Sequence, residues 1–442
     1  MRISVIGAGL AGCEAANQLT LHGFDVDLYE MKPQKFSPAH HYEGFAELVC
    51  SNSLKASRLE SASGLLKAEM KILGSLILEC AEKCAVAAGG ALAVDRTAFS
   101  DAVTNRIRSN PKIRVIEGEV TEIPKGKVII ATGPLTSDAF AEKISELCGS
   151  SLSFYDAAAP IVTYESIDKD KVFLASRYGR GEADYINCPF EKDEYLAFYK
   201  EIINAQTAEL KEFEKQSFKV YEGCMPIEVL AKRGEDSMRF GPLKPVGLTN
   251  PKTGKRPYAN LQLRRENAEG TLFNLVGFQT NLKFGEQKRV FSMIPGLENA
   301  EFMRYGVMHR NTYLNSPMLL DEAFCLKSNP DIYFAGQITG VEGYVESAAS
   351  GIVAGISLSR DIAGKDRFIL PPQTMLGALA RHVSSPNENY QPMGANMGIL
   401  PKLDKTIKGK QERYLALANR AVSALADAVS EYGEVNYDEN NG

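Results

Sequence analysis

The first thirty residues constrain the fold more than any other stretch of this 442-residue chain. Residues 2–6 have the apolar pattern of a buried strand, and they run directly into a glycine-rich turn at residues 7–12. A helix with small and apolar residues follows, and a second apolar segment ends on the acid Glu30. Strand, glycine turn, helix and terminal acid in this order are typical of a βαβ unit that binds a dinucleotide.

Each glycine of the turn has a separate task in such a unit. Gly7 permits the tight turn, Gly9 lets the backbone approach a pyrophosphate, and Gly12 lets the helix pack closely on the strand. The helix N-terminus contributes a partial positive charge, and Glu30 is placed to bind ribose hydroxyls. The ligand could be NAD or FAD, and the position at the N-terminus favours FAD. We therefore predict a cofactor site at Gly7, Ala8, Gly9, Leu10, Ala11, Gly12 and Glu30.

The composition fits an ordinary globular enzyme, with 24% charged and 44% hydrophobic residues. The length allows two or three domains with sizeable cores. No apolar run approaches the roughly 20 residues of a membrane span, and no signal-peptide pattern precedes the glycine turn. We therefore expect a cytoplasmic protein without membrane contact. The eight cysteines lack the Cys-x-x-Cys pairs of zinc sites, so we expect thiols and no bound metal.

Two further segments end an apolar strand in a glycine turn. Residues 127–131 lead into Thr132-Gly133-Pro134, a pattern typical of the end of the first half of an FAD domain. Residues 331–335 lead into a second glycine-rich turn and a helix of small residues. In flavoproteins with two dinucleotide folds, such a strand and helix N-terminus approach the flavin. The second segment therefore adds four residues to the predicted FAD site, namely Gly336, Gln337, Gly343 and Tyr344.

These two segments bracket the middle of the chain. The simplest topology is an α/β fold with a Rossmann-like FAD-binding domain of the glutathione reductase type, interrupted by an inserted α+β domain. A C-terminal helical extension should follow. The expected boundaries are residues 1–134 and 326–370 for the FAD-binding domain, 135–325 for the inserted domain, which should bind the substrate, and 371–442 for the extension.

Local patterns predict three further features. Residues 64–88 have a helical period, and we interpret Cys80 and Cys84, one turn apart, as packing residues. Asp95 is a candidate N-cap of the next helix. Residues 191–215 have the pattern of an acid-rich amphipathic helix with a solvated face.

The middle of the chain carries an excess of positive charge, although the whole chain has a net charge of −5. Residues 219–310 contain 15 Lys and Arg against 9 Asp and Glu. This excess could belong to a solvated loop with scattered cations, or to a surface that follows the phosphates of a nucleic acid. The second interpretation predicts an RNA-binding surface at Lys252, Lys255, Arg256, Arg264 and Arg265.

Motifs spread along the chain carry a more specific signal. Besides the glycine turn of residues 7–12, they are Phe45-Ala-Glu-Leu-Val-Cys50-Ser-Asn-Ser, Leu92-Ala-Val-Asp-Arg96, Glu222-Gly-Cys224-Met-Pro-Ile-Glu228, Gly241-Pro-Leu-Lys-Pro-Val-Gly247, Gly277-Phe-Gln-Thr-Asn281, Met308-His-Arg-Asn311 and the segment from Gly336-Gln to Glu342-Gly-Tyr344. Together they resemble TrmFO, the family of folate- and FAD-dependent tRNA (uracil-5-)-methyltransferases, from residue 1 to about residue 405. The related MnmG (GidA) flavoproteins share the FAD elements and carry an additional C-terminal helical domain.

The resemblance implies the reaction. 5,10-Methylenetetrahydrofolate supplies a carbon, NADH or NADPH supplies electrons through FAD, and a uridine at position 54 of the tRNA T-loop becomes 5-methyluridine. It also implies two functional cysteines, because C5 of uracil becomes nucleophilic only after a thiolate adds at C6, and a base must then remove the C5 proton. We expect Cys224 to be the nucleophile and Cys50 to be the base or proton shuttle, with the reverse assignment as the alternative.

The folate should lie over the flavin ring. We expect His309 to stack on its pterin, with a structural histidine as the alternative, and Tyr344 to contact the folate as well. Two other functions stay open at this point: the same chemistry on ribosomal RNA, and a flavin-containing RNA-binding or redox protein without methyl transfer. The sequence leaves the oligomeric state and the choice between NADH and NADPH undecided.

Overall fold

The structure, a computed structural model, describes residues 2–149, 151–157, 159–179, 182–208, 225–267, 269–306, 308–387 and 390–434. For residues 151–157 and 308–312 it describes the backbone alone. The predicted nucleophile Cys224 therefore lies outside the described residues, and so does the side chain of His309.

The described part of the chain contains strands and helices throughout. The strands are β1 (Arg2–Ile6), β2 (Asp25–Glu30), β3 (Ser53–Ala56), β4 (Ala85–Val86), β5 (Ala91–Val94), β6 (Ile113–Glu117), β7 (Val128–Ile130), β8 (Ser151–Ala157), β9 (Ile161–Thr163), β10 (Phe173–Leu174), β11 (Tyr185–Phe190), β12 (Ala259–Arg265), β13 (Leu272–Leu275), β14 (Phe302–Arg304), β15 (Met308–Leu314) and β16 (Ile332–Phe334). The helices are α1 (Leu10–Leu21), α2 (Ala62–Ile72), α3 (Leu76–Lys83), α4 (Arg96–Arg108), α5 (Asp138–Cys148), α6 (Lys192–Asn204), α7 (Ile227–Ala231), α8 (Ser237–Phe240), α9 (Phe284–Phe291), α10 (Ser316–Leu319), α11 (Tyr344–Ile362), α12 (Met375–Ser384) and α13 (Lys410–Tyr432).

Five parallel strands form the central sheet, in the order β16-β7-β1-β2-β6. The strands β7 and β16 are buried along their whole length, and in β1 only Arg2 is exposed. Continuous burial is expected for parallel strands that helices cover on both faces. A mixed α/β fold with a parallel sheet is therefore confirmed, and this sheet joins segments from distant parts of the chain.

The helices α1 and α11 pack directly on each other because α11 carries glycines where they meet. A Cβ atom on Gly351 would lie 2.2 Å from the backbone oxygen of Ala11. One on Gly355 would lie 2.8 Å from the Cβ of Gln18. The small residues of the predicted helix therefore hold the two glycine-turn segments close together, one from each end of the chain.

A second, antiparallel sheet forms from the residues between β7 and β16. Its strand order is β10-β11-β12-β13-β9-β14, and its buried apolar residues form a cluster of their own. The strands β8 and β15 pair with each other, with Ser151 opposite Leu314, and form the two chain connections between the sheets. The strands β3, β5 and β4 form a small separate sheet.

The helices α12 and α13 share the core of α1, α2 and α11. The buried carboxylate of Glu69 in α2 accepts hydrogen bonds from the backbone N–H groups of Met375 (2.7 Å) and Leu376 (2.8 Å) at the start of α12. These bonds satisfy two N–H groups that a helix start leaves without partners. The C-terminal helices are therefore anchored on the layer that covers the parallel sheet.

The structure bears on all three local predictions. The helical stretch expected over residues 64–88 is two helices, because the chain turns at Gly74 with φ +69° and Ser75 caps α3. The N-cap at Asp95 is confirmed by its hydrogen bond from the N–H of Ala98 (3.0 Å). The acid-rich helix expected to reach residue 215 ends at Asn204, and residues 209–215 lie outside the described part. None of the described helices is long and apolar enough to cross a membrane.

Candidate active site

A cleft opens at the carboxyl ends of the parallel strands. It holds about 1140 Å³ of free space, including its mouth. Ligands of open parallel α/β sheets bind at this edge. Nine of the predicted cofactor residues line the cleft, namely Gly7, Ala8, Gly9, Leu10, Ala11, Glu30, Gly336, Gln337 and Tyr344.

The three glycines of the first turn differ in what surrounds them. Gly7 has φ +98°, and a Cβ there would lie 2.6 Å from the backbone oxygen of Ala131. A Cβ on Gly12 would lie 1.7 Å from the backbone oxygen of Gly7. A Cβ on Gly9 would meet nothing within 4 Å, because this residue faces the cleft at the start of α1. Protein packing therefore explains the first two glycines, and room for a ligand explains Gly9.

Glu30 links the second strand to the glycine turn. Its carboxylate is 8% exposed and accepts hydrogen bonds from the backbone N–H groups of Ala8 (2.9 Å) and Lys32 (3.0 Å). The side chain thus braces the turn while it lines the cleft. It lies at the end of β2, where the acid of a dinucleotide-binding unit is expected.

The second glycine turn closes the other side of the cleft. The N–H of Gly336 donates to the hydroxyl of Ser350 (2.7 Å), and the amide of Gln337 donates to the carboxylate of Glu342 (2.8 Å). Gly343 does not line the cleft. A Cβ there would lie 2.2 Å from the carboxylate of Glu346, so its role in the structure is close packing at the start of α11.

Tyr344 holds the loop that carries Cys50. Its hydroxyl oxygen accepts hydrogen bonds from the backbone N–H groups of Cys50 (2.7 Å) and Ser51 (3.1 Å). Burial raises the pKa of Tyr344, and the nearby Cys50 raises it as well, so the phenol stays protonated at neutral pH. Cys50 itself is partly exposed. The structure therefore places Cys50 next to a residue of the cleft wall.

Arg264 corrects one of the predicted RNA contacts. Its side chain is 7% exposed and donates to the carboxamide oxygen of Asn52 (2.9 Å) and the hydroxyl of Ser51 (2.6 Å). A buried guanidinium cannot belong to a surface that follows phosphates. Its position in the apolar strand β12, rather than in the loop before it, was the signal that sequence reasoning overlooked.

The other predicted cations differ in exposure. Lys252, Lys255 and Arg256 are exposed in the loop between α8 and β12, and Arg265 is partly buried. The ammonium group of Lys252 donates to the backbone oxygens of Lys169 (3.3 Å) and Asp170. We call Lys252, Lys255 and Arg256 the basic loop.

The residues that follow Cys224 in the sequence lie against the motif of residues 277–281. The carboxylate of Glu228, which is 1% exposed, accepts hydrogen bonds from the hydroxyl of Thr280 (2.8 Å) and the N–H of Asn281 (2.8 Å). The N–H of Ile227 donates to the backbone oxygen of Gln279 (2.7 Å). The residues that follow Cys224 are therefore fixed on the antiparallel-sheet side. His309 lies on β15, where its backbone pairs with Asp156.

Sequence reasoning missed a charged cluster beside Cys50. We call Arg96, Arg264, Glu266 and Arg304 the arginine cluster. Arg96 forms an ion pair with Glu266, and their side chains are 14% and 4% exposed. Arg96 stood in a motif, whereas nothing in the sequence distinguished Arg304 or Glu266 from surface residues.

Replacement of Tyr344 by Phe should loosen the Cys50 loop. The change leaves two backbone N–H groups without their acceptor, and we expect the free energy of unfolding to fall by about 1–3 kcal/mol. Alkylation of Cys50, followed by peptide mass spectrometry, should become faster. Tyr164→Phe, at a partly exposed ring, is the control. Equal alkylation rates in both variants would contradict this role of Tyr344.

Comparison with known proteins agrees with the geometry. The family model of Glucose inhibited division protein A matches residues 2–366. The methylenetetrahydrofolate–tRNA-(uracil-5-)-methyltransferase TrmFO of Acetivibrio thermocellus is 59% identical over 433 residues, which cover 97% of this chain and 99% of that protein. The protein of the same name from Ligilactobacillus salivarius is 56% identical over 438 residues, 99% of each chain.

A solved structure supports the same relationship at the level of the fold. The structure of Aquifex aeolicus GidA has a TM-score of 0.73 to this chain at 16% sequence identity, and the similarity covers 98% of this chain and 73% of that one. The resemblance found in the motifs is thereby confirmed. The chain belongs to the TrmFO family of methylenetetrahydrofolate–tRNA-(uracil-5-)-methyltransferases, within the wider family of Glucose inhibited division protein A.

Proposed function

We propose that this chain transfers a one-carbon unit from 5,10-methylenetetrahydrofolate to a uridine of tRNA, in a reaction that uses FAD and NADH or NADPH. The product is 5-methyluridine at position 54 of the T-loop. The observation that carries this proposal is the nearly full-length identity to relatives that bear this enzyme name. With such a substrate, we expect the protein to act in the cytoplasm.

The cleft fits FAD. The start of α1 and Gly9 would hold the pyrophosphate, Glu30 would hold ribose hydroxyls, and the turn at Gly336 and Gln337 would approach the flavin. The open space in front of Gly9 supports this fit. When bound, FAD supplies the redox chemistry that converts the transferred carbon to a methyl group. The chain's own residues bind and orient the cofactor and the substrates, and they move protons.

The domains follow from this assignment. The parallel sheet, from residues 1–134 and 326–370, is the FAD-binding domain of the glutathione reductase type. The antiparallel sheet belongs to the inserted domain of residues 135–325. The helices α12 and α13 belong to the C-terminal extension of residues 371–442, which is anchored through Glu69.

Two thiols divide the chemistry at the uracil ring. The thiolate of Cys224 adds to C6, and Cys50 acts as base or proton shuttle for the C5 proton. The hydrogen bonds from Cys50 and Ser51 to Tyr344 support a position of Cys50 beside the flavin. His309 stacks on the folate pterin, and Tyr344 contacts the folate from the cleft wall.

The tRNA lies against the basic loop. Lys252, Lys255 and Arg256 are exposed on the antiparallel-sheet side, and Arg265 is the remaining candidate beside them. Phosphate contacts of this kind supply affinity and position without reading the sequence. Recognition of uridine itself belongs to the buried residues around Cys50.

Gly9→Val tests the cofactor site. The new side chain has room in the ligand-free protein, so the variant should fold, but it should block the pyrophosphate and give colourless protein. Gly90→Val is the matched control, because a Cβ on this glycine also meets nothing within 4 Å and the residue does not line the cleft. Full flavin absorbance in purified Gly9→Val would rule out the assignment.

Cysteine variants test the reaction. Wild-type enzyme should form 5-methyluridine in a tRNA transcript but not in one with cytidine at position 54. Cys224→Ala should lose both methylation and the covalent adduct with tRNA that carries 5-fluorouridine at the target. Cys50→Ala should lose methylation and keep the adduct. Cys84→Ala, at a partly buried thiol, is the control.

If Cys224→Ala kept the adduct and Cys50→Ala lost it, Cys50 would be the nucleophile and Cys224 the base. An adduct with both variants would contradict a thiol mechanism at these positions. Methylation of ribosomal RNA but not of tRNA would show that the chemistry is as proposed and that the substrate is ribosomal RNA.

Charge reversal in the basic loop tests the RNA surface. The double variant Lys255→Glu, Arg256→Glu should bind tRNA more weakly. The slope of log K against log salt concentration should become shallower by about one for each lost phosphate contact. Flavin reduction by NADH or NADPH should stay normal. Lys365→Glu, an exposed cation that follows α11, is the control. An unchanged salt dependence would show that tRNA binds to another surface of the protein.

A further inference from the structure

One member of the arginine cluster lacks a partner. Arg264 is hydrogen-bonded to Ser51 and Asn52, and Arg96 is paired with Glu266. In Arg304, the nitrogens Nε and Nη2 are shielded from solvent, and neither has a hydrogen-bond partner among the residues that the structure describes. These two N–H groups form one edge of the guanidinium, the edge that binds carboxylates, phosphates and other anionic oxygens.

The surroundings of Arg304 do not balance its charge. Burial, followed by the positive charge of Arg96, lowers the pKa of Arg304 to about 10. Three groups act in the opposite direction, namely Glu266, Cys50 and Tyr344. The arginine cluster contains three guanidinium groups and one carboxylate. Arg304 is half-buried as a residue, but the edge formed by Nε and Nη2 is shielded and unpaired. A shielded and unpaired cationic edge is unfavourable for folding, so a ligand that brings negative charge explains why the cluster is built in this way.

The position of Arg304 indicates which ligand reaches it. The residue ends β14, the edge strand of the antiparallel sheet, and it is close enough to Cys50 and to Tyr344 of the cleft wall for both to act on its charge. The backbone phosphates of a folded RNA stay at the protein surface, whereas a base that is flipped out of the RNA stack is inserted into the protein.

We propose that Arg304 binds the C4 oxygen of the target uracil and stabilises the negative charge that this oxygen acquires during the reaction. When a cysteine thiolate adds to the ring, the S–C6 bond forms and the C5=C6 π pair becomes the C4=C5 bond. The C4=O π pair moves onto oxygen, which becomes an enolate. Arg304 donates its Nε–H and Nη2–H to this oxygen. The pairs return when C5 forms its bond to the transferred carbon.

This role deepens the proposed function and rests on it. Donors that are held in place before the charge develops stabilise a transition state more than a ground state. Arg304 should therefore affect the rate of addition much more than the affinity for tRNA. Substitutions in the exposed basic loop should instead affect the affinity for tRNA much more than the rate of addition.

Arg304→Gln in the FAD-loaded enzyme tests the proposal. We expect the single-turnover rate of 5-methyluridine formation, and the rate of adduct formation with 5-fluorouridine tRNA, to fall about 10²- to 10³-fold. The dissociation constant of tRNA should change less than about threefold, since Arg304 makes no phosphate contact. Arg304→Lys keeps the charge but loses the two-donor edge, so its two rates should lie between those of wild type and Arg304→Gln. Arg413→Gln, at an exposed residue of α13, is the control.

Thermal unfolding separates this role from a structural one. Removal of a charge whose shielded edge is unpaired should leave the melting temperature of Arg304→Gln equal to or above that of wild type. A lower melting temperature with a normal rate per FAD-loaded enzyme would show a structural residue and overturn the proposal. Weaker tRNA binding with a smaller salt dependence, and a normal rate at saturating tRNA, would show a phosphate ligand and overturn it as well.

The wild-type reactions distinguish this proposal from the proposed function. Wild-type enzyme that forms neither 5-methyluridine nor adduct would contradict the proposed function itself. Wild-type activity together with an equally active Arg304→Gln variant would contradict only the role of Arg304.

Discussion

The buried carboxamide of Asn52 is the junction on which the candidate site depends. Its Nδ2 donates to the backbone oxygens of Val94 (3.0 Å) and Arg265 (2.9 Å), and its oxygen accepts from the guanidinium of Arg264. These bonds join the Cys50 loop to β5 on one side and to β12 of the antiparallel sheet on the other. Tyr344 adds the third attachment, from α11. The loop is therefore fixed between the cofactor cleft and the antiparallel sheet.

This arrangement gives a physical reason for the two sheets. The parallel sheet holds a cleft whose shape follows from Gly7, Gly9 and Gly12. The antiparallel sheet brings basic side chains of two kinds, exposed ones in the basic loop and the more shielded Arg264 and Arg304 of the arginine cluster. Exposed cations attract a polyanion over a long range, whereas buried cations act on a group that enters the site. The proposed tRNA substrate needs both.

The sequence predicted the features that depend on local rules. The glycine turn, the strands of the parallel sheet and the cap at Asp95 each follow from neighbouring residues. Arg264 was misassigned because its burial depends on Ser51 and Asn52, more than two hundred residues earlier in the chain. Arg304 gave no local signal at all, because an unpaired guanidinium becomes visible only when its surroundings are known. The break at Gly74 was missed because helical periodicity continues on both sides of it.

Isotope tracing tests the transfer of carbon from folate to tRNA most directly. The purified enzyme is incubated with FAD, NADPH, tRNA transcript and methylenetetrahydrofolate that carries two deuterium atoms on its methylene carbon. Nuclease digestion and mass spectrometry should find both deuterium atoms in 5-methyluridine at position 54. Unlabelled 5-methyluridine, or labelled folate consumed without any modified nucleoside, would contradict the account.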